Sequence, residues 1–241
     1  MNDVLYKGYD RSELEYHFNP SVATPIPDGY FEERAAASAA ARSRVKAHYD
    51  VAYGARPREK LDIFPAAQPN APVNLFVHGG YWRLGSKDDY SFMAETFLAA
   101  GATLVVLGYD LCPDVTLGDI VRQTRAGIAW AYRNLAAHGV DPSRFYLSGM
   151  SAGGHLVAMA LAHDWAKEEG LAADFIKGAV IVSGVLDVEP VPHISVNDLI
   201  RLTPEQARLN SPMRQPPLCK SPLVIMVGAD EPDGWRQMGS D

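Results

Sequence analysis

The sequence predicts an α/β protein with a mostly parallel central sheet flanked by helices, and three observations carry that expectation. From Val73 onward, short apolar runs recur (VNLFVHGG, TLVVLGY, RFYLSG, GAVIVSG, PLVIMVG), each bounded by glycine or proline, as strands buried on both faces require. Between most of them lie longer stretches with helical spacing, such as LGDIVRQTRAGIAWAYRNLAAH. Strand and helix therefore alternate, which a parallel sheet with right-handed crossovers explains. Upstream, HYDVAYG and KLDIFP alternate apolar and polar residues around the turn-forming GARPRE, so an antiparallel pair is expected there.

The remaining elements fit around this sheet. The alanine-rich AAASAAARSRV, residues 35–45, reads as a helix of good intrinsic propensity that serves as scaffold or cover. Residues 186–221 interrupt the strand–helix rhythm with prolines and one short helix. They are expected to form a cap or insertion over the carboxyl ends of the strands, where ligands bind in such sheets. With 241 residues and 47% hydrophobic composition, the chain is long enough for one sizeable core and short for two, so 1–241 is expected to be a single domain.

Charge and cysteine usage exclude several classes of function. Lys and Arg total 22 against 29 Asp and Glu, a net charge of −7 without a run of five like charges, so no nucleic-acid partner is expected. The first twenty residues, MNDVLYKGYDRSELEYHFNP, scatter charges where a secretory signal would be apolar, and no run is long enough to cross a bilayer. No membrane partner and a cytoplasmic location follow as expectations. Cys112 and Cys219 are too few and too far apart for a disulfide framework or a thiolate metal site, and are read as reduced and packed; no metal is expected.

The strongest chemical signal is LSGMSAGGHL. Gly149, Ser151 and Gly153 form GxSxG between a strand and a helix. A sharp strand-to-helix turn lifts a serine hydroxyl clear of the sheet toward a base, and small neighbours permit the strained backbone. In FVHGGYW, Gly79 and Gly80 can turn backbone N–H groups toward one point, and with the Ala152 N–H they would form an oxyanion hole. His78 is read as an organiser of that loop, and Tyr81 and Trp82 as candidates to line an acyl or aromatic pocket, or else as core.

HGGYWRLGSKDDYSF, YDLCPDVTLGDIVRQ, GMSAGGHL and VSGVLDVEPVPHISVNDLIRL together resemble the arylformamidase (kynurenine formamidase) group of α/β-hydrolases, related to hormone-sensitive-lipase-like esterases. The resemblance runs from about Leu61 to Gln237. It implies an α/β-hydrolase fold and hydrolysis of an N-formyl aromatic amine, N-formyl-kynurenine to kynurenine and formate, on a small-molecule substrate and without a cofactor. Ser151 would be the nucleophile, and Gly79, Gly80 and Ala152 the oxyanion donors. Related sequences split carbamates and aryl esters, so a carboxylesterase or carbamate hydrolase is the alternative activity. A homodimer is compatible with the group.

The triad acid should follow PLVIMVG, where Asp230, Glu231 and Asp233 stand; counting glycine, two residues, then carboxylate from Gly228 selects Glu231 over Asp230. A histidine should come next in the order serine, acid, histidine, yet all seven histidines precede Glu231. His193, in the proline-rich insertion, is the one candidate for a replacement base, because His138, His155 and His163 lie at helix ends or on the packed helix after the serine. These readings predict that the last strand and helix of the fold are absent from a C-terminally truncated chain, with a histidine encoded within about 25 to 45 further residues. They also keep open a catalytically inactive binding protein on the same scaffold.

Overall fold

The structure is a computed structural model that describes residues 4–239. Seven strands form one sheet: β1 (His48–Ala52), β2 (Lys60–Phe64), β3 (Val73–Val77), β4 (Thr103–Leu107), β5 (Phe145–Met150), β6 (Ile176–Val182) and β7 (Leu223–Met226), in the order β1-β2-β4-β3-β5-β6-β7. β1 pairs antiparallel with β2 and β2 antiparallel with β4, while β4, β3, β5, β6 and β7 run parallel. The mostly parallel sheet and the antiparallel pair both match the sequence patterns.

The apolar runs are strands because both of their faces are covered. Val105 and Leu107 of β4 join the larger core cluster, while Leu104 and Val106 join a second cluster on the opposite face. Helix α5 (Leu117–Asn134) and helix α6 (Ala152–Leu161) contribute Ile120, Ile128, Leu156 and Val157 to the larger cluster. The other face packs Phe64, Phe76 and Leu104 against Tyr90 and Ala94, where a 3-10 turn (Lys87–Met93) leads into a short helix, Ala94–Ala99. α5 starts where it does because Thr116 and Asp119 cap it reciprocally.

Three helices precede the sheet: α1 (Arg11–Phe18), α2 (Pro20–Ala23) and α3 (Tyr30–Arg44), the last containing the alanine-rich run. α3 is fixed through Arg42, which reaches Asp62 at 2.7 Å, and Asp62 also takes the Lys87 ammonium at 2.8 Å. Lys87 bonds Asp50 and Asp88 as well, so these three carboxylates surround a protein ammonium. Asp62 is fully buried, and both cations are needed to offset its desolvation.

The insertion differs from expectation. Residues 186–221 hold two short helices, Asn197–Ile200 and Pro204–Leu209, and two 3-10 turns. They pack against α6 and α1: Leu218 and Cys219 donate to the Leu161 carbonyl, and Ser195 N–H donates to Glu15. Glycine-free, proline-rich backbone that must satisfy its own polar groups finds carbonyls at the α6 terminus, which is why the segment lies there. Residues between 17 and 34 border the cavities at Ser151. Both cysteines are free and buried, as read from the sequence. Among the described residues no helix is long and apolar enough to cross a membrane.

The chain closes on helix α7 (Asp233–Met238), whose Trp235 and Met238 are buried against the core and whose Gly234 lies against His17 and Phe18 of α1. β7 is paired only with β6 among the described residues, and its side chains are exposed, Val224 by 51% and Met226 by 54%.

Candidate active site

Ser151 sits between β5 and α6 with φ 54° and ψ −121°, a left-handed backbone that costs a non-glycine residue on the order of 1–3 kcal/mol. Neighbouring packing imposes that conformation. The Ser151 N–H donates to the Val182 carbonyl at 2.9 Å, and its own carbonyl accepts from His155 N–H at 3.1 Å. A Cβ on Gly153 would lie 2.0 Å from the Val77 carbonyl oxygen, and one on Gly149 would lie 2.4 Å from that of Gly153. The glycines on either side of the serine are therefore required by the approach of α6 to β3. The Ser151 hydroxyl makes no hydrogen bond among the described residues, and α6 begins at Ala152 with its first N–H groups unpaired by backbone.

The HGGYW loop lies against this turn. A Cβ at Gly79 would stand 2.9 Å from the Met150 carbonyl oxygen and 3.2 Å from Ser151 Cβ. Gly80 has φ 123° and accepts at its carbonyl from Arg83 and Leu84 N–H, which winds the loop back on itself. The N–H groups of Gly79, Gly80 and Ala152 donate to no backbone carbonyl among the described residues. The Gly79 N–H also acts on the phenol of Tyr90, whose pKa is raised chiefly by burial. His78 is fully buried, stacks on Tyr109 at 4.2 Å and bonds the Gly79 carbonyl through Nδ1 at 2.8 Å. Burial holds its pKa down at about 4, so it is a neutral organiser of the loop, in line with its sequence reading.

Tyr81 and Trp82 part company. Tyr81, at φ 50°, lines a cavity beside Ser151 and donates its hydroxyl to the Phe18 carbonyl at 2.8 Å. Trp82 is fully buried, donates its indole N–H to His155 Nδ1 at 3.1 Å and lines neither cavity at Ser151. Its assignment to substrate binding is corrected: an indole N–H needs a buried acceptor, and His155 supplies one inside the core. His155 is itself neutral, its pKa lowered to about 4 by burial, with Nε2 on the Asn210 carbonyl at 2.7 Å.

Of the candidate acids, Glu231 reaches the site and Asp230 does not. Glu231 accepts from Ser183 Oγ at 2.5 Å and from Gly228 N–H at 2.9 Å, and lines the same cavity as Ser151. Asp230 is exposed and lines neither cavity at the serine, because the turn closed by Gly228 and Glu231 points it outward. His193 is corrected too. It lies in the 3-10 turn Val191–His193 and lines neither cavity at Ser151.

Ser151 stands where two cavities meet. One, of about 270 Å³, is walled by Met150, Ser183, Glu231, Pro232, Trp235 and His17. The other, of about 320 Å³, runs past Gly79, Gly80 and Tyr81 to Tyr30, Phe31 and Arg34 of α3. Pro20 and Thr24 of the α2 region border both, whereas residues 186–221 contribute Val196 alone. His17 is the functional candidate the sequence reading passed over. Its Nδ1 accepts from the Gly234 N–H at 3.4 Å, a contact between residues 217 positions apart that no local pattern could announce. No histidine is hydrogen-bonded to Ser151 or Glu231 among the described residues.

Comparisons with known proteins agree with this geometry. The family model BD-FAE matches residues 61–214. A kynurenine formamidase of Danio rerio is 35% identical over 217 residues, covering 87% of this chain and 72% of that protein. One of Salmo salar is 30% identical over 249 residues, covering 98% and 83%. Among solved structures, a putative thioesterase from Silicibacter sp. TM1040 superposes with a TM-score of 0.82 at 26% identity, over 94% of this chain and 85% of its own. The chain belongs to the BD-FAE family, among the arylformamidase- and esterase-like hydrolases of the α/β-hydrolase fold.

Proposed function

We propose that the protein hydrolyses the formyl amide of an aromatic amine, with N-formyl-kynurenine as the type substrate, through an acyl-enzyme on Ser151. The observation that carries this is a strained, unpaired serine at the junction of two cavities, beside N–H groups of Gly80 and Ala152 that no backbone carbonyl occupies. Ser151 Oγ attacks the formyl carbon, and the carbonyl oxygen, gaining charge, rests against those amides. The C–N bond breaks, the amine leaves with a proton, and water then attacks the formyl-serine to release formate and restore the hydroxyl.

Glu231 is the carboxylate that would orient the base. Two donors hold it, Ser183 and Gly228, so its position does not depend on an imidazole already bound to it. His17 is the imidazole lining the cavity among the described residues. With Nδ1 accepting from Gly234, its neutral ring carries the proton on Nε2 and must turn or change tautomer before it can receive the Ser151 proton. A His17→Gln variant therefore reads out whether this ring takes part.

An ester or carbamate hydrolase is the second reading, and one feature favours it. The smaller cavity, with Met150, Pro232 and Trp235 in its wall, is larger than a formyl hydrogen needs. Measuring kcat/KM for N-formyl-kynurenine, p-nitrophenyl acetate and an aryl carbamate decides the matter. The formamide is expected to exceed both others; a higher value for the acetate ester, with little formate release, would reverse the assignment.

A further inference from the structure

The larger cavity has a polarity that hydrolysis of a formyl amide does not itself require. Arg83, three residues past Gly80, lines it; its Nε is buried without a hydrogen-bond partner, and the side chain makes no ion pair among the described residues. Arg34 lines it from α3. Its guanidinium side chain is 12% exposed and is stacked against Tyr90, Phe31 and Tyr30, with ring centroids at 4.8, 5.2 and 5.6 Å. Arg34 Nε is also buried without a partner, and the nearest carboxylate, Asp89 at 3.5 Å, lies outside the cavity wall. No Asp or Glu lines this cavity among the described residues.

Arg83 thus holds a buried, unpartnered Nε–H at a cavity without a carboxylate in its wall among the described residues, and Arg34, paired with Asp89 at 3.5 Å and donating to the Tyr90 hydroxyl at 3.3 Å, adds a second positive charge beside it. Burying a guanidinium donor without a partner costs on the order of 1–3 kcal/mol, which a planar carboxylate recovers by accepting from it. Tyr30, Phe31 and Tyr90 line the same cavity as Ser151 and Arg83, so an aryl group bound there meets aromatic walls.

We infer that Arg83, flanked by Arg34, binds a carboxylate carried by the arylamine portion of the substrate, so that the larger cavity selects aryl substrates that bear a carboxylate over those that do not. The inference rests on the hydrolase reading only in taking the substrate to lie against Ser151. Arg83 acts as a specificity-determining residue: it touches the end of the substrate remote from the reacting carbonyl, and its effect is on binding.

The test uses the full chain, with kynurenine and its carboxamide as probes in calorimetric titrations. Labelling of Ser151 by a fluorophosphonate serves as an independent readout. Wild type is expected to bind kynurenine about tenfold or more tightly than the carboxamide, the range of a charge-assisted hydrogen bond. Arg83→Gln should reduce that preference to within about threefold, and Arg83→Lys should restore part of it. Equal affinities in wild type, or a preference that survives in Arg83→Gln, would overturn the inference while Ser151 labelling kept the hydrolase reading intact. A preference for the carboxylate without labelling would instead uphold the anion site and remove the hydrolase reading.

Discussion

Ser151 and Glu231 line one cavity, and the structures behind them differ in kind. The serine stands on β5 and α6, where Gly149, Gly153 and Gly79 are pressed against backbone and Leu147, Ala152 and Leu156 are wholly or almost wholly buried. The acid stands past β7, an edge strand whose four residues are all exposed, and is held by two hydrogen bonds and the packing of Trp235. The nucleophile is thus placed by close packing, which resists displacement, and the acid by local hydrogen bonds, which can be rebuilt at modest cost. Substitutions on the two sides should therefore differ sharply in what they do.

The largest effect is expected from Ser151→Ala, which should lower kcat/KM toward any substrate the wild type turns over by about 10⁴-fold or more, with the unfolding midpoint little changed. An assay of formate release with a parallel urea titration checks both halves. Activity retained in the variant would remove the covalent mechanism.

Acidity should act next, chiefly through two buried rings on the nucleophile side. His78 and His155 are buried neutral with pKa values lowered to about 4, below the roughly 6.5 of an unfolded histidine. Between those values the unfolded chain binds more protons than the folded one, so stability present above about pH 6.5 is lost as the pH falls toward 4. From pH 7 to pH 5 each ring should cost about 2 kcal/mol, read as a fall in the urea midpoint. A midpoint that is flat across this range in His155→Gln and wild type alike would contradict the burial of these rings as neutral groups.

Gly153→Ala comes third. Its Cβ would meet the Val77 carbonyl oxygen at 2.0 Å, a clash with backbone on both sides that cannot relax by rotating a side chain. About 3 kcal/mol of destabilisation is expected, with loss of Ser151 reactivity even where the protein stays folded. On the acid side, Val224→Lys should be the smallest change, within about 0.5 kcal/mol, because residue 224 is already 51% exposed. It should also reduce any self-association through the apolar β7 edge, as sedimentation would show. A large loss of stability in Val224→Lys would mean that β7 is supported more like β5 than its exposure indicates.

How much of this was legible in the sequence follows the same division. Strands β3 to β6 announced themselves because burial on both faces leaves uninterrupted apolar runs, and the serine turn did so because only glycine fits at 149 and 153. Glu231 was separable from Asp230 by counting from Gly228, which holds the turn that presents it. The cover over the site was not legible. Residues 17–34 reach Ser151 only through contacts such as Gly234 against His17, made between the two ends of the chain. Trp82 was equally opaque, since an aromatic residue after a strand reads alike as pocket wall or as core until its N–H partner, His155, is seen. Arg83 stood inside the HGGYWRLGSKDDYSF stretch without a role read from it and Arg34 outside every motif, and their convergence on one cavity depends on how α3 lies against the HGGYW loop.

The central claim is that Ser151 is a reactive nucleophile at the meeting point of the two cavities. Treating the full chain with a fluorophosphonate and mapping the adduct by peptide mass spectrometry tests it most directly. An adduct on Ser151, absent from Ser151→Ala and slowed by prior addition of kynurenine, is the expected result. An unlabelled Ser151 in folded protein, or labelling that persists at another residue in Ser151→Ala, would contradict it.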